Sequence, residues 1–130
     1  MAIPWERLRA AAGVAATRAH APYSKFRVGA AVWTASGAIV PGCNIENASY
    51  GLTMCAERVA LGAALAMGER PLAIALACPD APPGAGEAFL SPCGACRQVM
   101  VELLPADAEA WIEGLGLRGI AAWLPHAFRL

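Results

Sequence analysis

Charge is scarce in this 130-residue chain: Asp, Glu, Lys and Arg make up 15% of it, and ten Lys plus Arg cancel ten Asp plus Glu to a formal charge of zero. The basic stripe that would neutralise a phosphate backbone is absent as a bulk property, which argues against a nucleic-acid partner. Long apolar runs are also missing. The longest stretches, near Val59–Met67 and Leu72–Cys78, fall far short of the ~20 residues a bilayer span needs, so no membrane association is expected. The opening M-A-I-P-W-E-R-L-R puts charges where a signal peptide would carry its apolar core, and no small-residue cleavage site follows an apolar run. A cytoplasmic protein is expected.

What is abundant is apolar. Hydrophobic residues reach 58% and the mean hydropathy is +0.47, which excludes intrinsic disorder and requires a large buried surface, part of it between subunits. The length suits one domain spanning residues 1–130. Five cysteines, Cys43, Cys55, Cys78, Cys93 and Cys96, cannot all pair. In an intracellular chain they would stay reduced, which leaves metal binding, catalysis or plain burial.

Leu8, Ala11, Ala12, Ala15 and Ala19 fall at helical spacing and predict an amphipathic helix from Pro4 to about Ala19, ended by Pro22. Phe26, Val28, Ala30 and Val32 alternate with Arg27, Gly29, Ala31 and Trp33; with a Ser36-Gly37 turn and Ala38–Cys43 they predict a β-hairpin. Asn44–Thr53 reads as a loop. Thr53 is placed to cap a helix from about Met54 to Met67, apolar on nearly all faces and therefore expected to be buried. Leu72–Cys78, between two prolines, reads as an interior strand, and Pro79–Gly86 as a surface loop. Ser91-Pro92 resembles an N-cap followed by a first-turn proline, opening a second buried helix that runs to Leu104. Ala108–Glu113 predicts one more strand, and Ile120–Trp123 a short helical piece. Helix, hairpin, helix, strand, helix, strand is an α/β arrangement with a mixed sheet between helices.

Two stretches carry chemistry: Cys55-Ala56-Glu57-Arg58 and Pro92-Cys93-Gly94-Ala95-Cys96, each at a predicted helix start. A helix N-terminus offers unpaired N–H groups and the positive end of the dipole, which favour thiolate over thiol. Cys93 and Cys96, three apart, can chelate one ion. Cys55 would complete a three-thiolate set that leaves one tetrahedral position of Zn²⁺ open to water, the arrangement of a catalytic site. Three thiolates on a dication sum to 2 − 3 = −1, and Arg58, three residues after Cys55, is placed to withdraw that charge by hydrogen bonds to sulfur. Glu57 is placed to move a proton between water and substrate without ligating the metal. Two alternatives remain: a thioredoxin-like redox pair, which leaves Cys55, Glu57 and Arg58 unexplained, and a closed structural zinc site with Cys43 or Cys78 as fourth ligand.

The C-A-E and P-C-G-A-C stretches resemble the all-cysteine form of the zinc-deaminase signature. More widely, the sequence resembles the small homotetrameric cytidine deaminases in five ordered blocks: P-Y-S-K-F-R-V-G-A-A at Pro22–Ala31, G-C-N-I-E-N-A-S-Y-G at Gly42–Gly51, M-C-A-E-R at Met54–Arg58, S-P-C-G-A-C-R-Q at Ser91–Gln98 and L-P-H-A-F at Leu124–Phe128. The resemblance implies a three-layer α/β/α fold with a mixed central sheet. It also implies hydrolytic deamination of cytidine and 2'-deoxycytidine to uridine and 2'-deoxyuridine with release of ammonia, as in pyrimidine salvage; deamination of another aminated heterocycle is the alternative. Under it Cys55, Cys93 and Cys96 are zinc ligands and Glu57 the proton shuttle. Asn44 and Glu46 bind the ribose, Phe26 and Ala56 line the base pocket, and Phe128 is placed by a neighbouring subunit of a homotetramer against the pyrimidine. Arg97 and Gln98 are assigned to packing and loop hydrogen bonds, and His20 and His126 match no ligand position. Between Pro105 and Leu124 the chain is a few residues shorter than typical members, and Trp123 stands where Leu is usual.

Overall fold

Two glycines set how closely the layers approach. A Cβ at Gly29 would lie 1.9 Å from the carbonyl oxygen of Ala12, and one at Gly42 would lie 2.5 Å from the amide nitrogen of Ala60. At both points a helix backbone rests directly on a strand with no side chain between. The structure, a computed structural model that describes residues 2–130, builds three layers around these contacts.

Helix α1 (Trp5–Ala16) precedes a hairpin of β1 (Gly29–Thr34) and β2 (Ile39–Cys43); then come α2 (Ala56–Ala66), β3 (Pro71–Ala77), the single turn α3 (Glu87–Leu90), α4 (Gly94–Leu103), β4 (Glu109–Ile112) and β5 (Gly116–Gly119). The strands form one sheet in the order β2-β1-β3-β4-β5. Only the β3–β4 pairing is parallel, so the sheet is mixed. Alternate residues of β1 and β3 enter two cores. Ala31, Trp33, Ala73 and Ala75 meet Leu8 and Ala12 of α1, while Ala30, Val32, Ile74 and Leu76 meet Ala60 and Leu61 of α2 and Met100 of α4. The result is an α/β/α sandwich in which the second layer of helices carries the chemistry.

Several boundaries differ from the sequence expectation, each for a local reason. The first helix ends at Ala16 rather than Ala19, because Thr17 Oγ1 donates to Val14 O at 2.6 Å and the following amides close tighter three-residue turns before Pro22 is reached. The first strand of the predicted hairpin starts at Gly29 rather than near Phe26, and every residue of it is buried, since helices cover both sides. Helix α2 starts at Ala56 with Cys55 at its N-cap, not at Met54 capped by Thr53. Met54 is instead held in a bridge to Ile45, and Thr53 Oγ1 accepts from Asn47 N at 3.1 Å. Nor is α2 buried all round: Leu65 is 47% and Met67, just past its end, 63% exposed. Helix α4 is capped by Cys93 rather than Ser91, so Pro92 precedes the helix, and it buries only the face of Cys96, Met100 and Val101. The sequence pattern gave no sign of α3 or β5, whereas a 3-10 turn does form at Ile120–Trp123.

Candidate metal centre and active site

Cys55 and Cys93 occupy equivalent places. Each is the N-cap of its helix, in extended backbone (φ −76°, ψ 151° and φ −65°, ψ 164°), and neither spends its side chain on capping. The approach to Cys55 is fixed by paired backbone bonds between Ile45 and Met54, both at 2.9 Å, which tie the start of α2 to the loop bearing Asn44 and Glu46. Cys96, in the first turn of α4, is fully buried. The three sulfurs converge. Sγ of Cys93 lies 3.8 Å from that of Cys55 and 3.5 Å from that of Cys96, and all three fall within 4.8 Å of one another.

This donor set fits zinc. Two thiolates on one tetrahedral Zn²⁺, with Zn–S near 2.3 Å, should stand about 3.8 Å apart. Among the described residues no fourth His, Cys, Asp or Glu joins the group. The closed structural site considered from sequence would need Cys43 or Cys78, and neither belongs to it. Cys78 borders the cavity but is buried, and burial pushes its thiol up to about 12, as expected of a small buried hydrophobe. All five cysteines are free.

Arg58 Nη2 stands 3.7 Å from Cys55 Sγ and 3.4 Å from Thr53 O. As free thiols, Cys55 is pulled down to about 5, first by the hydrogen bond from Cys96 and then by Arg58 and Cys93. The same contact and burial push Cys96 up. The Arg58 guanidinium is itself held further into its charged range by the Cys55 sulfur. Next to it, Glu57 is 5% exposed. Burial raises its pKa, and the charge on Cys55 adds to the effect.

Glu57, Ala56, Cys55 and Cys93 share one cavity of about 290 Å³ with Phe26, Asn44 and Glu46. The amide of Asn44 staples the approach to β1: Oδ1 accepts from Val28 N and Nδ2 donates to Phe26 O, each at 2.8 Å. One N–H and one lone pair are left over. Glu46 Oε1 accepts from the amides of Tyr23 and Ser24 at 3.0 and 3.1 Å, and Oε2 accepts from the Ser24 hydroxyl. Those bonds, the hydroxyl foremost, hold its carboxyl below the usual range and thus ionised. Phe128 does not line this cavity; it is 69% exposed, its carbonyl accepting from Gln98 Nε2 at 3.0 Å.

The cavity also has walls that sequence reasoning missed. Phe89 of α3 meets Phe26 edge to face, centroids 5.5 Å apart at 74°, and Ser24 anchors Glu46. Ser24 stands inside the P-Y-S-K-F block quoted above, so a signal for it existed. Phe89 follows a Pro/Gly-rich stretch and had none.

An α/β/α sandwich that brings three thiols and a buried carboxyl to the mouths of two helices defines a metal-dependent hydrolytic class of site. Residues 5–108 match the family model for the cytidine and deoxycytidylate deaminase zinc-binding region, and the chain belongs to that family. It is 49% identical over 129 residues to a cytidine deaminase of Mycobacterium tuberculosis, covering 98% of this chain and 92% of the relative. It is 50% identical over 98 residues to one from Halalkalibacterium halodurans, covering 75% and 70% of the two chains. The crystal structure of cytidine deaminase from Burkholderia pseudomallei superposes with a TM-score of 0.82 at 44% identity, over 97% of this chain and all of that one.

Proposed function

We propose that the chain acts as one domain over residues 1–130 that hydrolyses cytidine and 2'-deoxycytidine to uridine and 2'-deoxyuridine with release of ammonia, a reaction of pyrimidine salvage. The observation that carries this reading is the convergence of Cys55, Cys93 and Cys96 at two helix N-termini, with Cys55, Cys93 and the buried Glu57 bordering one cavity. The full-length relatives named cytidine deaminases support the choice of substrate.

Cys55, Cys93 and Cys96 would hold zinc, whose Lewis acidity, when it is bound, eases the loss of a proton from water. Glu57 takes that proton and delivers it to the ring nitrogen beside the amine-bearing carbon. The water oxygen bonds to that carbon; Glu57 then takes the remaining proton of that oxygen and passes it to the amine, and the carbon–nitrogen bond breaks to leave a carbonyl and ammonia. Arg58, by its contact with Cys55 Sγ, draws negative charge off the sulfur. The remaining donor and acceptor of Asn44 and the ionised Glu46 hold the sugar hydroxyls, and Phe26 with Ala56 bounds the base.

The exposed Phe128 serves the cavity of a neighbouring copy in a homotetramer. Support comes from the apolar surface left open on the single chain, with Tyr50 80%, Leu52 65% and Met67 63% exposed. The working compartment is the cytoplasm, where five free thiols stay reduced; among the described residues no helix is long and apolar enough to cross a membrane.

The test is the ultraviolet absorbance of cytidine on addition of the zinc-loaded protein. The absorbance falls and a chelator stops the fall. An unchanged spectrum from protein carrying one zinc per chain would overturn the reading, and turnover of a sugar-free aminated heterocycle in place of cytidine would redirect it.

A further inference from the structure

The C-terminal segment returns across α4, and the residue that holds it there also holds the loop that delivers Cys93. Arg97 is half-buried and sends its guanidinium three ways: Nε donates to Pro92 O at 2.7 Å, Nη2 to Ser91 Oγ at 3.0 Å and Nη1 to Trp123 O at 3.0 Å. The first two acceptors lie in the two residues before Cys93. The third closes the 3-10 turn from which the chain runs on to Phe128. Two weaker ties continue the seam, Gln98 Nε2 to Phe128 O at 3.0 Å and Arg129 Nη1 to Val101 O at 3.5 Å.

A guanidinium is a rigid planar fork, so one cation cannot follow the loop and the tail if they move apart. Either displacement strips an acceptor from a half-buried charge, which costs more than the bond itself is worth. We propose that Arg97 is a positioning residue that couples the Ser91–Cys93 loop, and with it the grip on the metal, to the placement of the C-terminal segment carrying Phe128. The coupling is reciprocal: whatever the seated tail adds to metal affinity, the bound metal adds to seating of the tail. Trp123 enters this tie through its carbonyl, while its side chain packs against the core beside α4. The inference rests on the reading that Cys55, Cys93 and Cys96 hold zinc.

Two rates measured on the zinc-loaded protein test it: transfer of zinc to a chromogenic chelator, and clipping by chymotrypsin after Phe128, followed by mass. Arg97→Ala speeds both by about tenfold or more, the scale of a lost charge-assisted hydrogen bond, while the far-ultraviolet spectrum of the fold stays the same. Gln98→Ala, which frees only the Phe128 carbonyl, speeds clipping and leaves zinc transfer near the wild-type rate. A variant Arg97→Ala that changes one rate without the other, or neither, overturns the coupling. If that variant does not fold, Arg97→Lys, whose ammonium cannot reach all three acceptors, is judged by the same pair of rates. Wild-type protein that binds no zinc would instead overturn the metal assignment, a result distinct from either.

Discussion

Glu57 and Arg58 are neighbours in sequence and opposites in role. Glu57 is surrounded by protein, and burial raises its pKa, whereas Arg58 keeps its charge against the sulfur of Cys55. Replacing Glu57 by Gln preserves shape and removes the proposed proton carrier, so zinc content should stay at one per chain while kcat falls by about 10²–10⁴; full activity would remove the shuttle. Arg58→Gln should also keep its zinc but lower kcat by a smaller factor, and unchanged turnover would sink the charge-withdrawal argument. The cysteine triad and Glu57 were legible because their spacing is short-range and chemically unusual. Phe89 was not, since its meaning lies in an edge-to-face contact with a residue 63 positions away (89 − 26). The engagement of Asn44 with the Phe26–Val28 backbone was hidden for the same reason: a side chain's bonding across a fold leaves no periodicity in the chain.

At the scale of elements, hydrophobic spacing found the principal helices and the hairpin but misplaced their ends. Helix α2 starts where the Ile45–Met54 bridge lets go, and α4 where Arg97 takes the Ser91 hydroxyl that would otherwise cap it. Both are tertiary effects that override local preference. They move the two helix starts onto Cys55 and Cys93, which aims both dipoles at the sulfurs. The two alternating sets of residues in β1 enter two separate cores, one on each face of the sheet. Because α2 rests on Gly42 without a side chain between, even one methyl group there must push the helix away. Gly42→Ala is expected to lower unfolding free energy by about 1–3 kcal/mol, the usual cost of overpacking, with a parallel loss of activity as Cys55 shifts with α2. A denaturation midpoint equal to wild type would show that the layers can part without cost.

Across the whole molecule, the bidentate pair of Arg27 and Asp80, at 2.8 and 2.9 Å, joins the segment before β1 to the loop after β3. The Arg27 hydrogen bond lowers Asp80 from its ordinary 3.8 to about 2. A depressed carboxyl stabilises the fold fully above its unfolded value and loses that contribution as pH falls through the folded one. The stability difference between wild type and Asp80→Asn should therefore hold steady near neutrality and shrink between about pH 4 and pH 2 in urea titrations; a constant difference would mean the pair is silent. Sedimentation should find four chains together, and a single chain at working concentration would refute the assignment of Phe128 to a neighbour's cavity. The strand order leaves β2 and β5 outermost, and both are poor templates for adding a further strand: β2 contains Pro41, and β5 is four residues long, begins and ends with glycine and bears Arg118. A chain so rich in apolar residues should consequently resist fibril growth through its rims even in concentrated solution.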